Sequence, residues 1–178
     1  MKKIFALCLA GALALAATAC DEDDKGGGNP GKMTVDGRTE EVKSVLYVYV
    51  EASDEDFDEN AVVLCLFRDV VTEIPEDPDF AISIEMTESL FGKTIDLTEP
   101  VGKNSYLFLT GVNDNYHLNI DFSGSMIDTF GDATVTGGTL LVTRSSGDFT
   151  VKFSVTLSDG GSASADWKGK ATKVVLPE

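Results

Sequence analysis

Hydrophobic and polar residues alternate with a period of two along much of this chain. Tyr116, Leu118, Ile120 and Phe122 alternate with His117, Asn119, Asp121 and Ser123, and Phe80, Ile82, Ile84 and Met86 alternate with Ala81, Ser83, Glu85 and Thr87. Phe149, Val151, Phe153, Val155 and Leu157 alternate with Thr150, Lys152, Ser154 and Thr156. Each run predicts a strand with one dry and one wet face. The last leads through Ser158-Asp159-Gly160-Gly161 into Ser162 to Trp167, the pattern of a hairpin. Val42 to Val50 and Ala61 to Phe67 are apolar on both faces, so these strands are expected to be covered on both sides.

Shorter runs at Thr94 to Leu97, Ser105 to Leu109, Ala133 to Thr143 and Lys170 to Leu176 bring the total to about ten strands. No segment after the first twenty residues carries a sustained helical apolar stripe. The expected fold is all-β: a single antiparallel β-barrel or flattened β-sandwich of about eight to ten strands, mostly in meander order. Gly137-Gly138 and Gly160-Gly161 are expected at turns between strands.

The N-terminal segment has a different pattern. Lys2 and Lys3 precede an uncharged Leu- and Ala-rich run, Ile4 to Ala17, and then the small residues Thr18 and Ala19, as in a secretory signal. The run is shorter than the roughly 20 residues that span a bilayer as a helix. Its end, Ala17-Thr18-Ala19-Cys20, resembles the lipobox of bacterial lipoproteins, although Ala17 stands where a Leu is usual. The resemblance implies cleavage before Cys20, a diacylglycerol on its sulfur and an acyl chain on its nitrogen. Such chains, at about 0.8 kcal/mol per buried methylene, hold a protein on a membrane. The alternative is an ordinary signal cleaved after Ala19.

Residues 20–32 then read as a lipidated cysteine and a tether. Asp21 to Lys32 is acidic, then glycine-rich, and has no apolar residue, so it cannot bury surface. The folded domain is expected to occupy residues 33–178, long enough for a proper core. Net charge is −16, and −18 once Lys2 and Lys3 leave with residues 1–19. So acidic a chain repels phosphate backbones, which argues against nucleic-acid partners. Of the three cysteines, Cys8 lies in the leader and Cys20 at the lipidation position, so Cys65 has no partner for an internal disulfide.

Candidate chemistry is sparse. Asp54, Asp56 and Asp58 have the first, third and fifth spacing of a calcium loop, but Glu59 replaces the turn glycine and Cys65 the closing bidentate glutamate. A solvated turn is the competing reading. A nucleophile would have to pair Cys65 with His117, the sole histidine; the thiol sits in an apolar strand and the imidazole on a polar face. One histidine and one internal cysteine cannot build a structural zinc site, and no phosphate loop of the Gly-x-x-x-x-Gly-Lys-Ser type occurs. Carboxylate pairs are too numerous among 30 acids for any one to stand out. Trp167, alternating with Ala163 and Ala165, reads as core filling, with ligand stacking as the alternative. Neither a cofactor nor a catalytic residue is expected.

Leu90-Phe91-Gly92-Lys93-Thr94-Ile95-Asp96-Leu97-Thr98, Gly138-Thr139-Leu140-Leu141-Val142 and Gly147-Asp148-Phe149-Thr150-Val151-Lys152-Phe153, followed by the Asp159-Gly160 turn, are similar to small lipoproteins of the Bacteroidetes, some described as lipocalin-like or calycin-like. The likeness spans roughly residues 80 to 170 and implies a barrel or flattened sandwich, without supplying catalytic residues. In that group an acidic cluster after the lipidated cysteine, here Asp21, Glu22, Asp23 and Asp24, resembles a surface-export signal. The expectation is an outer-membrane lipoprotein at the cell surface, with the periplasmic face as the alternative. Its expected role is non-enzymatic binding of a small molecule, glycan or protein partner. A carboxylate-dependent hydrolase and a structural envelope or adhesion component are the other readings.

Overall fold

The computed structural model describes residues 31–52 and 59–175. The described residues form twelve strands and one 3-10 turn, Glu88–Leu90, with no α-helix. In chain order the strands are β1 (Lys32–Val35), β2 (Arg38–Glu41), β3 (Ser44–Val50), β4 (Ala61–Phe67), β5 (Ala81–Thr87) and β6 (Ile95–Asp96). They continue with β7 (Leu107–Asn113), β8 (Tyr116–Asp121), β9 (Val135–Ser145), β10 (Asp148–Leu157), β11 (Ser162–Lys170) and β12 (Thr172–Lys173).

Two six-stranded sheets result, β2-β1-β11-β10-β9-β6 and β12-β3-β4-β5-β7-β8. They face each other as a flattened sandwich and do not close into a barrel, which decides between the two expected forms. Consecutive strands β3-β4-β5 and β9-β10-β11 lie side by side, as a meander requires. The core between the sheets is built by the alternation itself. Phe149, Val151, Phe153 and Val155 of β10 point inward against Leu64, Ile82, Ile84 and Leu109 of the second sheet. Each fully buried side chain of this kind contributes about 1.5–3 kcal/mol.

Of the two strands apolar on both faces, β4 is covered on both, whereas β3 leaves Tyr47, Tyr49 and Val50 partly exposed. Every residue of β4 is buried. Its Val63, Cys65 and Phe67 join Leu46, Val48 and Ala81 in a second cluster on the outer side, closed by Val71 and Ile74 of the connection after β4 and by Val174.

Four expectations need correction. The count is twelve because β1 and β2 form an unforeseen N-terminal hairpin. Its edge strand, Arg38-Thr39-Glu40-Glu41, has no apolar residue, so hydrophobic periodicity is silent there. The readable signal was Asp36-Gly37, whose φ values of 48° and 76° suit a two-residue primed turn. The sheets are not wholly antiparallel, because β12 lies parallel to β3. The second face of β5 is not wet: Glu85 and Thr87 are buried. Gly137 and Gly138 lie inside β9, opposite Thr156 and Val155, next to a register shift at Thr156/Leu157. A Cβ on Gly138, at φ 148°, would stand 2.3 Å from the Ser154 carbonyl oxygen, so the strands can approach there only without a side chain.

Trp167 is a core residue, 9% exposed and opposite small residues as expected. Its ring also bounds the start of the domain. A Cβ on Gly31 would stand 2.3 Å from Trp167 Cδ1, and the Gly31 carbonyl accepts from the Val42 N–H at 2.8 Å. The last two residues read as tether, Gly31 and Lys32, are thus already held by the fold, Lys32 as the first residue of β1.

Candidate functional site

At one side of the sandwich β3 of the second sheet meets the β9–β10 hairpin of the first. Tyr47 packs on Phe149 with ring centroids 5.2 Å apart and tilted by 49°. Phe91, which follows the 3-10 turn, meets Phe149 edge-on at 6.4 Å. Arg144 lies over both partners, its Cζ 5.4 Å from the Tyr47 centroid and 5.3 Å from that of Phe149. Its Nη2 reaches the Tyr47 hydroxyl at 3.5 Å. Two ring faces and one hydroxyl therefore fix a planar cation whose edge remains toward solvent. Among the described residues no carboxylate forms an ion pair with Arg144.

Opposite stands Glu88, exposed at the start of the 3-10 turn. Its Oε2 accepts long hydrogen bonds, 3.4 Å each, from the Tyr49 hydroxyl and the Asn60 amide. Partial burial and the nearby Glu88 charge raise the Tyr49 hydroxyl above its ordinary pKa, so it stays a donor. Backbone bonds hold the turn: Glu88 N–H donates to the Asn60 carbonyl at 2.9 Å and Gly92 N–H to the Val142 carbonyl at 2.8 Å. Between these walls lies an open depression of about 390 Å³ lined by Glu88, Phe91, Gly92, Thr143 and Arg144.

A second depression, about 370 Å³, lies on the outer face of the first sheet among Thr34, Thr139, Lys152, Ser154, Ser164 and Asp166. Its lining mixes these hydroxyls and charged side chains with Phe153 and Ala165.

The outer face of the second sheet holds the most perturbed carboxyl. Glu85 is 5% exposed, and its Oε1 meets no hydrogen-bond donor among the described residues. Burial pushes this carboxyl up to about 7 from 4.5, and the charge of Asp121 adds to the shift. In register the two are separated by Phe108 of β7, so they share one face of one sheet and do not oppose each other across a cleft.

Cys65 and His117 are not brought together. They lie on β4 and β8, with β5 and β7 between, which at about 4.8 Å per strand separates them by roughly 14 Å. The Cys65 thiol is buried and sits 3.5 Å from the Ser83 hydroxyl; His117 is exposed on an edge strand. Cys20, Asp21, Glu22, Asp23 and Asp24 lie outside the described residues, as do Asp54, Asp56 and Asp58.

Sequence reasoning singled out none of the groove residues as a site, because Tyr47, the pair Glu88 and Phe91, and the pair Thr143 and Arg144 come from three segments far apart in the chain. The one available signal was Arg144, an arginine near a hairpin tip in a strongly acidic chain. Comparison of the chain with protein-family models, curated proteins and solved structures gives no match.

Proposed function

We propose that this chain is a lipid-anchored, extracytoplasmic binding module, held off the membrane by residues 20–30 and taking its ligand in the groove between Glu88 and Arg144. The sequence supports the address: the lipobox-like Ala17-Thr18-Ala19-Cys20, then an acidic and glycine-rich stretch without apolar side chains. The acidic cluster Asp21 to Asp24, similar to a surface-export signal, supports an address on the outer surface of the outer membrane. The observation that carries the binding role is Arg144. A guanidinium pre-oriented on two rings, without a carboxylate partner among the described residues, keeps its hydrogen-bonding edge for a group outside the protein.

Fractionation of cells expressing the full chain tests the address. The wild type is expected in the membrane fraction and accessible to added protease on intact cells. Cys20→Ala is expected in the soluble fraction, and a variant that stays with the membrane overturns the anchor.

A further inference from the structure

We infer that the groove binds neutral glycans, as one or two pyranose rings seated between Phe91, Glu88 and Arg144. This deepens the binding role proposed above and rests on it. Arg144 offers only donors, and the Glu88 carboxylate only acceptors. The two form no ion pair with each other, so both keep capacity for a guest lying between them. Adjacent sugar hydroxyls satisfy such a pair because each hydroxyl both donates and accepts. Thr143 adds a hydroxyl to the wall, and the half-buried Phe91 ring adds an apolar surface for the C–H face of a pyranose.

Charge selects against acidic ligands. Glu88 offsets Arg144 within the groove, and the whole chain carries −16, so an anionic chain is repelled at long range. An apolar ligand would leave the Arg144 edge and the Glu88 carboxylate without partners, which costs binding. The volume, about 390 Å³, falls within the range of small-molecule sites.

Isothermal titration of the detergent-solubilised full chain tests this with cellotetraose, maltotetraose, xylotetraose and mannotetraose, an oligogalacturonate, and a panel of amino acids and fatty acids. At least one neutral tetrasaccharide is expected to bind. Arg144→Met is expected to weaken it by about tenfold or more, as for loss of hydrogen bonds to a charged group, and Glu88→Gln by several-fold. Arg144→Lys, which keeps the charge and loses the planar fork, is expected to fall close to Arg144→Met. Unchanged melting temperatures separate lost contacts from lost folding. Binding of a neutral glycan that Arg144→Met leaves intact and Lys152→Met removes would move the site to the outer face of the first sheet and overturn the assignment. Arg144-dependent binding of the oligogalacturonate or of a non-sugar alone overturns the glycan inference and leaves the binding role standing. Silence across the whole panel overturns both.

Discussion

Across the outer face of the first sheet one row of paired residues reads Thr39, Thr34, Ser164, Ser154, Thr139 and Asp96, from one edge to the other. Across the outer face of the second sheet a comparable row reads Leu46, Cys65, Ser83, Thr110 and Asn119. Both carry small polar groups in mid-sheet, yet the environments are opposite. The first row lies open, with Thr34 and Thr39 hydroxyls 2.8 Å apart and Asp96 accepting from Thr98. Beside it runs Glu41, Lys32, Asp166 and Lys152, a row of alternating sign that pairs each charge across strands.

The second face is roofed at both ends. Val71, Ile74 and Val174 close it over β3 and β4. Over β7 and β8 the segment after β8 folds back through paired backbone bonds between Asp121 and Asp128, and Phe130 meets Phe108 edge-on at 5.9 Å. The same period-two backbone thus yields a hydrated face where both neighbours are water and hydroxyls, and a dry one where the connections carry apolar residues. Glu85 records the cost: an ionisable group placed outward in a strand finds itself under a roof.

Truncation is the strongest way to test this contrast. Phe67→Ala, in the roofed cluster, is expected to destabilise by about 3–5 kcal/mol in chemical denaturation, as for other buried phenylalanines. Ser154→Ala, at an exposed position in mid-sheet on the open face, is expected to stay within about 0.5 kcal/mol. Equal effects would remove the distinction between the faces.

Titration sharpens the contrast further. The folded-state pKa of Glu85 lies above its ordinary value, so the folded protein holds the proton more tightly than the unfolded chain. The carboxyl costs nothing below about 4.5, and stability falls as pH rises to about 7, by about 3 kcal/mol in all. Glu85→Gln is expected to flatten that part of the melting-temperature profile and to be the more stable protein at pH 8. A variant with the wild-type pH dependence would show that Glu85 is hydrated in solution.

The smallest effect belongs to the charge row. Lys152→Met, leaving Asp166 with Lys32 as its one cationic cross-strand neighbour, is expected to cost at most about 0.5 kcal/mol in low salt and nothing measurable in 0.5 M salt. A larger, salt-independent loss would mean that the open face is itself covered.

Legibility from the sequence followed the same division. The alternation in β8 and β10 and the doubly apolar runs of β3 and β4 announce strands because burial writes itself directly into residue type. The β1–β2 hairpin was illegible to that reading, since an edge strand that buries little needs no apolar residues, and only its Asp36-Gly37 turn marks it. Glu85 was misread for a related reason. Its own strand shows a polar residue in an outward position, and nothing local tells that a distant connection will cover it. The candidate site was less legible still. Arg144, Tyr47 and Phe149 are unremarkable where they stand in the chain, and become a site only when β3 comes to face the β9–β10 hairpin.

By itself, then, the sequence determined the all-β class, the core face of most strands and the lipobox-like entry to the chain, because each is set by local pattern. The tertiary structure alone decided that the sheets form a sandwich and not a barrel, that β12 runs parallel to β3, that one outer face is roofed, and that a stacked arginine confronts a glutamate across a groove. Those features depend on which surfaces meet across long stretches of chain, and packing between sheets is a relation that no single segment encodes.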